Sequence, residues 1–221
     1  MTNKQPNDAT NFYKKCLEYV IESYGLERVD HFRNISLRDI GIQDFFKEYS
    51  MVCLASGFRW GVIDALLNDL SEAFHGWDLY KIAGDEGNVF DNAIDVFGHK
   101  GKINAIIDTA VLLASWSDDE FEEFIQELTN IKSPESPGLA HLRRFRYIAK
   151  ITQFHLARNL GLDFPKPDRL LTRAAVKYGY PKTHQGVFDF ARRICEETNE
   201  REGVVDFVIW RFLADHPSEF Q

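Results

Sequence analysis

FRYIAKITQFHLARNLGLDFPKPDRLLTRAA, residues 145–175, decides the fold. Within it, ITQFHLARNLG repeats apolar residues at helical spacing and stops at Gly161. PDRLLTRAAVKYG then begins a second helix, with Pro167 suited to the first turn and Gly179 closing it. Asp168 falls at the start of the second helix, where the helix end favours negative charge.

The same periodicity extends outward in both directions. Phe12, Cys16, Tyr19 and Val20 make one stripe of a first helix that closes at Tyr24 and Gly25. A second helix is expected from Ser36 or Gln43 to Ser56, and a third from Phe58 to Phe74. Further helices are expected near 78–83, 88–97, 101–115, 118–130, 139–146, 184–199 and 202–214. SDDEFEEF at 117–124 reads as an acidic first turn with Phe121 and Phe124 inward. No alternating run marks a strand and no repeat or long linker interrupts the pattern, so the fold class is all-α, with about ten to twelve helices.

The chain has 221 residues, 44% hydrophobic and 27% charged, enough for a sizeable core and against disorder. Cys16, Cys53 and Cys195 are widely separated, which excludes a disulfide framework, a zinc site and an iron–sulfur cluster, and points to a reducing compartment. With no signal-peptide pattern and no long apolar run, a cytoplasmic protein without membrane contact is expected. No histidine pair has metal spacing, and His155 reads as a helix residue facing a neighbour. Phosphate-cradling glycine loops and the serine-hydrolase elbow are absent.

The net charge of −8 hides a polarity. From Arg143 to Lys182 there are ten basic residues against only Asp163 and Asp168, an excess of eight positive charges that leaves the remainder at −16. Such a stretch can meet a phosphate backbone while the acidic remainder limits nonspecific adhesion.

Residues 145–175 resemble the hairpin and aspartate region of the helix-hairpin-helix DNA glycosylases. Tyr147, Ile148 and Ala149 stand where that superfamily carries glycine-hydrophobic-glycine, Thr152 aligns with its threonine, and Lys166-Pro167-Asp168-Arg169 with its aspartate motif. EYSMVCLASGFRWGVIDALL (48–67) is similar to the family's N-terminal helix and turn, GKINAIIDTAVLL (101–113) to the helix before the hairpin, and VVDFVIWRFLA (204–214) to the closing helix. The likeness is to members of the 8-oxoguanine-glycosylase type that lack an iron–sulfur cluster. It departs in the hairpin, where both glycines are missing and Ile151 occupies the position of the lyase lysine.

The resemblance implies two lobes, residues 36–163 with the hairpin, and 1–35 together with 164–221, with DNA across the cleft at Asp168. It implies release of a damaged or modified base by hydrolysis of its N-glycosidic bond, as in base excision repair, and the departure at Ile151 leads to the expectation that this occurs without strand cleavage. Breaking that bond builds positive charge on the sugar, which the carboxylate of Asp168 would stabilise while orienting water. Lys150 is the candidate amine for a lyase route. Arg146, Tyr147, Ile148, Ala149, Thr152, Arg169 and Arg173 are candidate DNA-binding residues. An extruded base needs a wedge and a pocket, for which Phe58, Arg59, Trp60, Asp206 and Trp210 are candidates. No organic cofactor is implied; the one ion the resemblance allows is a monovalent cation at the hairpin. The competing reading is a catalytically inactive DNA-binding accessory protein of a repair or phage-defence system, which the degenerate hairpin would suit.

Overall fold

The computed structural model describes residues 7–220. Among these are twelve α-helices, three short 3-10 helices and no strand. The chain divides into two compact units, one formed by the described residues of Met1–Ser36 and Ala157–Gln221, the other by Leu37–Leu156.

The first unit holds α1 (Asn7–Tyr24), α2 (Leu26–Asn34), α10 (Arg169–Lys177), α11 (His184–Thr198) and α12 (Glu202–Asp215). Helix α12 buries Val204, Val205, Asp206, Val208, Ile209, Phe212 and Leu213, which cover most of its circumference, so the other helices pack around it. Cys16, Val20, Val29, Leu171, Ala174, Phe190 and Ile194 complete that core. Arg201, ahead of α12, donates to the carbonyls of Phe32 and Arg33 in the last turn of α2, to that of Ile35 at its C-cap and to that of Gly161, satisfying backbone acceptors a helix end leaves open.

The second unit contains α3 (Ile42–Ala55), α4 (Trp60–Ala73), α5 (Leu79–Gly84), α6 (Glu86–Phe97), α7 (Lys100–Ala114) and α8 (Asp118–Thr129). Its core includes Phe45, Phe46, Tyr49, Ile103, Ile106, Phe124 and Phe145. The acidic turn of α8 forms a capping box between Ser117 and Glu120, with Phe121 and Phe124 buried as the sequence suggests. Helix α9 (Thr152–Asn159) carries the division between the units, which falls after Leu156.

Three local expectations change. Helix α2 escaped the sequence reading because only Val29 of its nine residues is buried, leaving little periodicity. The helix expected at 139–146 is instead a 3-10 segment, Pro137–Arg144, started by the Ser136 side chain and Pro137 and ended by extended backbone at Phe145. Pro167 lies just outside α10 rather than in its first turn, because Asp168 takes the N-cap.

Candidate active site

The hairpin lies between the 3-10 segment and α9. Tyr147 has φ +66, the left-handed conformation normally given to glycine. The Thr152 hydroxyl holds it there, receiving the Ala149 N–H at 2.6 Å and donating to the Tyr147 carbonyl at 3.0 Å. The Ile148 N–H reaches the Phe145 carbonyl and the Gln153 N–H the Ala149 carbonyl, so the turn is closed at both ends. A hydrogen-bonded turn therefore forms here with no glycine at position 147 or 149. Ala149 and Lys150 are exposed, whereas Ile148 is buried, which removes its side chain from any surface role and leaves only its backbone as a candidate contact. Arg146 is exposed and paired with Asp108 at 2.8 Å.

In the same unit, the Ser56–Trp60 turn rests on Lys102. Phe58, 40% exposed, packs against Phe97 and His99. Lys102 is buried, and its ammonium donates to the carbonyls of Cys53, Leu54 and Ser56, closing the C-terminus of α3. It also lies 5.2 Å from the Phe58 ring centroid and 5.0 Å from that of Tyr147. Burial lowers its pKa below the ordinary lysine value. One ammonium thus ties the exposed aromatic turn to the hairpin. The sequence reading passed over Lys102, although a lysine sharing a helix face with Ile106, Thr109 and Leu113 is itself an anomaly. Arg59 is exposed and Trp60 half-buried at the first position of α4.

In the other unit, Asp168 caps α10. Its Oδ1 accepts the N–H groups of Leu170 at 2.8 Å and Leu171 at 3.1 Å, while Oδ2 lies 3.4 Å from Lys166 Nζ. Behind it, Asp206 Oδ2 pairs with Arg158 at 2.8 Å and accepts the Lys166 backbone N–H at 3.2 Å. Asp206 has no exposed surface, which corrects its expected place on a pocket wall: its carboxylate faces the core beneath the Lys166–Asp168 turn. Burial pushes Asp206 up to about 6; Arg158 opposes the shift and Asp168 adds to it. Trp210 is half-buried against the core, with the Arg211 guanidinium 5.8 Å from its ring centroid. Neither Arg158 nor the pairing role of Lys166 was singled out from sequence, where Arg158 counted among the positive charges and Lys166 as part of the aspartate motif.

That charge is partly spent internally. Arg158 is buried with Asp206, Lys166 faces Asp168, Arg173 donates to the Phe220 carbonyl at 2.6 Å, and the Arg144 guanidinium lies 4.3 Å from the Phe124 ring centroid. Arg143, Arg144, Arg146, Lys150, Arg169, Lys177 and Lys182 are exposed, Arg144 despite its ring contact. No group of three or more metal-ligating side chains occurs among the described residues, and none of their helices is long and apolar enough to cross a membrane.

No protein-family model matches the chain, and no curated protein matches it. Among solved structures it is similar to the Methanocaldococcus jannaschii 8-oxoguanine glycosylase/lyase in complex with a 15mer DNA containing 8-oxoguanine, with a TM-score of 0.59 and 17% identity over 89% of this chain and 94% of that one. The turn at Tyr147, the capped aspartate at 168 and this correspondence along almost the whole length converge on one architecture: the chain has the all-α fold of the helix-hairpin-helix DNA glycosylases.

Proposed function

We propose that this protein is a DNA glycosylase that hydrolyses the N-glycosidic bond of a damaged or modified base. The observation that carries the reading is the Asp168 carboxylate, fixed by two backbone N–H groups at the start of α10 within a fold shared with an 8-oxoguanine glycosylase/lyase. Fixed in that way, the carboxylate needs no reorganisation as positive charge grows on the sugar, and it can hold the attacking water. Base release would be monofunctional, because Ile151 stands at the lyase position. Lys150 remains the amine to test. The hairpin, with Arg146, Tyr147, Ala149 and Thr152, would hold the DNA backbone together with Arg169 and Arg173, and Phe58, Arg59 or Trp60 would fill the gap left by the extruded base. The chemistry calls for no organic cofactor.

Single-turnover release of bases from a pool of modified duplexes, read by mass spectrometry, tests this. Release by the wild type, lost in Asp168→Asn with DNA binding intact, establishes the activity and identifies the base. Strand cleavage that disappears in Lys150→Ala would overturn the monofunctional reading. Salt-sensitive DNA binding without release from any duplex would replace the enzyme with a DNA-binding accessory protein.

A further inference from the structure

The core of the first unit contains an ion pair that packing alone does not require. Arg158 and Asp206 have side-chain exposures of 6% and 0%, and Asp206 lies in an otherwise largely apolar helix. One carboxylate oxygen, Oδ2, takes both the Arg158 guanidinium and the Lys166 N–H, while Oδ1 has no hydrogen-bond partner among the described residues. Burying two charges and leaving an acceptor unsatisfied is a poor way to stabilise a core, since apolar side chains of similar volume would do as well or better. What the arrangement does achieve is to hold one peptide unit. Asp206 fixes the Lys166 N–H, and the Lys166 carbonyl accepts the Asp168 N–H at 2.7 Å. Prolines 165 and 167 restrict φ on either side of Lys166. Arg158 is itself constrained, with its Nε and second terminal nitrogen on Asn159 Oδ1 and its stem against Gly203, where a Cβ would lie 3.3 Å from Cγ.

We propose that Arg158 and Asp206 are a positioning pair for Asp168, acting through the Lys166 peptide to set the aim of its carboxylate. The proposal rests on the reading of Asp168 as the group that faces the sugar. Asp206 reaches no surface and touches no substrate. It acts on the turn that carries Asp168, in which the Lys166 ammonium supplies a second restraint on Oδ2.

The charged groups acting on Asp206 are Arg158 from α9 and Lys166 and Asp168 from the turn before α10. Protonation as the pH falls through about 6 removes the charge that draws in Arg158 and weakens the hold on Lys166. Base release should therefore decline on the acid side of that value in the wild type.

Two readouts on the full-length protein separate positioning from support of the fold. One is the single-turnover rate against pH. The other, which needs no turnover, is the affinity ratio between duplexes carrying a cationic pyrrolidine abasic analogue and a neutral tetrahydrofuran, since only the cation senses where the Asp168 carboxylate points. Asp206→Asn retains an amide oxygen for the Lys166 N–H but neither charge nor titration. It is expected to bind the neutral duplex like the wild type, to lose about tenfold or more of the cation preference, and to release base about a hundredfold more slowly, without the acid limb near 6. Wild-type rate, ratio and pH profile in this variant overturn the proposal while leaving the glycosylase reading intact. If the wild type releases no base yet prefers the cation, and Asp206→Asn loses that preference, the positioning pair stands and the hydrolytic reading fails. Absence of both release and preference in the wild type removes both. Should Asp206→Asn fail to fold, Arg158→Lys, which keeps the charge but not the fork, is read in the same way: an unchanged ratio overturns the proposal, a diminished one supports it.

Discussion

The Thr152 hydroxyl donates to the carbonyl of Tyr147, five residues back, across a turn in which Tyr147 holds a left-handed φ of +66. A glycine adopts that conformation freely; a tyrosine pays about 1–2 kcal/mol for it. Other contacts must therefore hold the turn in place, and Thr152, which also receives the Ala149 N–H, supplies two of them. The Lys102 ammonium beneath the tyrosine ring supplies a third.

Thr152→Val keeps the shape of the side chain and removes both hydrogen bonds. It should destabilise the protein by about 1–3 kcal/mol and weaken affinity for duplexes of any sequence, since a phosphate-contacting turn reads no bases. Thr152→Ser should restore most of both losses. Thermal unfolding and a salt titration of binding check this, and unaltered duplex affinity in Thr152→Val would remove the hairpin from the DNA interface.

Gly101 and Tyr147 should behave as a coupled pair. A Cβ on Gly101 would overlap the Tyr147 hydroxyl, so Gly101→Ala must displace the ring that lies on Lys102. The expected cost is about 1–3 kcal/mol, as for other overpacked sites. Because only the hydroxyl is in the way, Gly101→Ala combined with Tyr147→Phe should recover much of the loss. A double-mutant cycle by denaturant unfolding measures the coupling, and strict additivity would show that the two residues do not meet.

How much of this was legible depended on whether a side chain's role follows from local spacing. Helix class and most helix positions follow from apolar periodicity and stop signals, as at Gly161 and Gly179. The capping position of Asp168 follows from its place before LLTRAA. Helix α2, with one buried residue, leaves no such trace. Lys102, Arg158 and Asp206 were harder for a different reason: a charge buried by partners far along the chain is indistinguishable, residue by residue, from one on the surface. Asp206 and Arg158 are 48 residues apart. The αL backbone at Tyr147 was hidden too, because nothing in a tyrosine announces positive φ.

Lys102→Met keeps the aliphatic stem and leaves three carbonyls at the end of α3 without their donor. Loss of a buried charged hydrogen-bond donor should cost about 2–4 kcal/mol. The Ser56–Trp60 turn should also loosen, because Phe58 loses the cation it packs against. Hydrogen exchange is the discriminating measurement: faster exchange confined to residues 56–60 and 145–150 fits the bridging role, whereas a uniform increase would show only a global loss of stability.

The pH dependence of stability gives an independent view of Asp206. Its pKa rises from the ordinary aspartate value of 3.8 to about 6 in the folded protein. Between those values the native state binds the proton more tightly than the unfolded chain, so this group makes the protein less stable as the pH rises through the window. That contribution is fully lost once the pH exceeds the folded value. Asp215 works in the opposite sense. Burial alone would raise its pKa, but hydrogen bonds from Arg211, Tyr24 and Tyr19 lower it overall, so its contribution is present above the ordinary aspartate range and is lost as acid titrates the folded carboxylate. The wild-type curve mixes the two, whereas the difference between wild type and Asp206→Asn isolates the first. Denaturant unfolding of both proteins from pH 3.5 to 8 should show the wild type losing ground to the variant between about pH 4 and 6, then running parallel to it. A difference flat across that window would mean that Asp206 titrates normally and is not held as an ionisable group in the core.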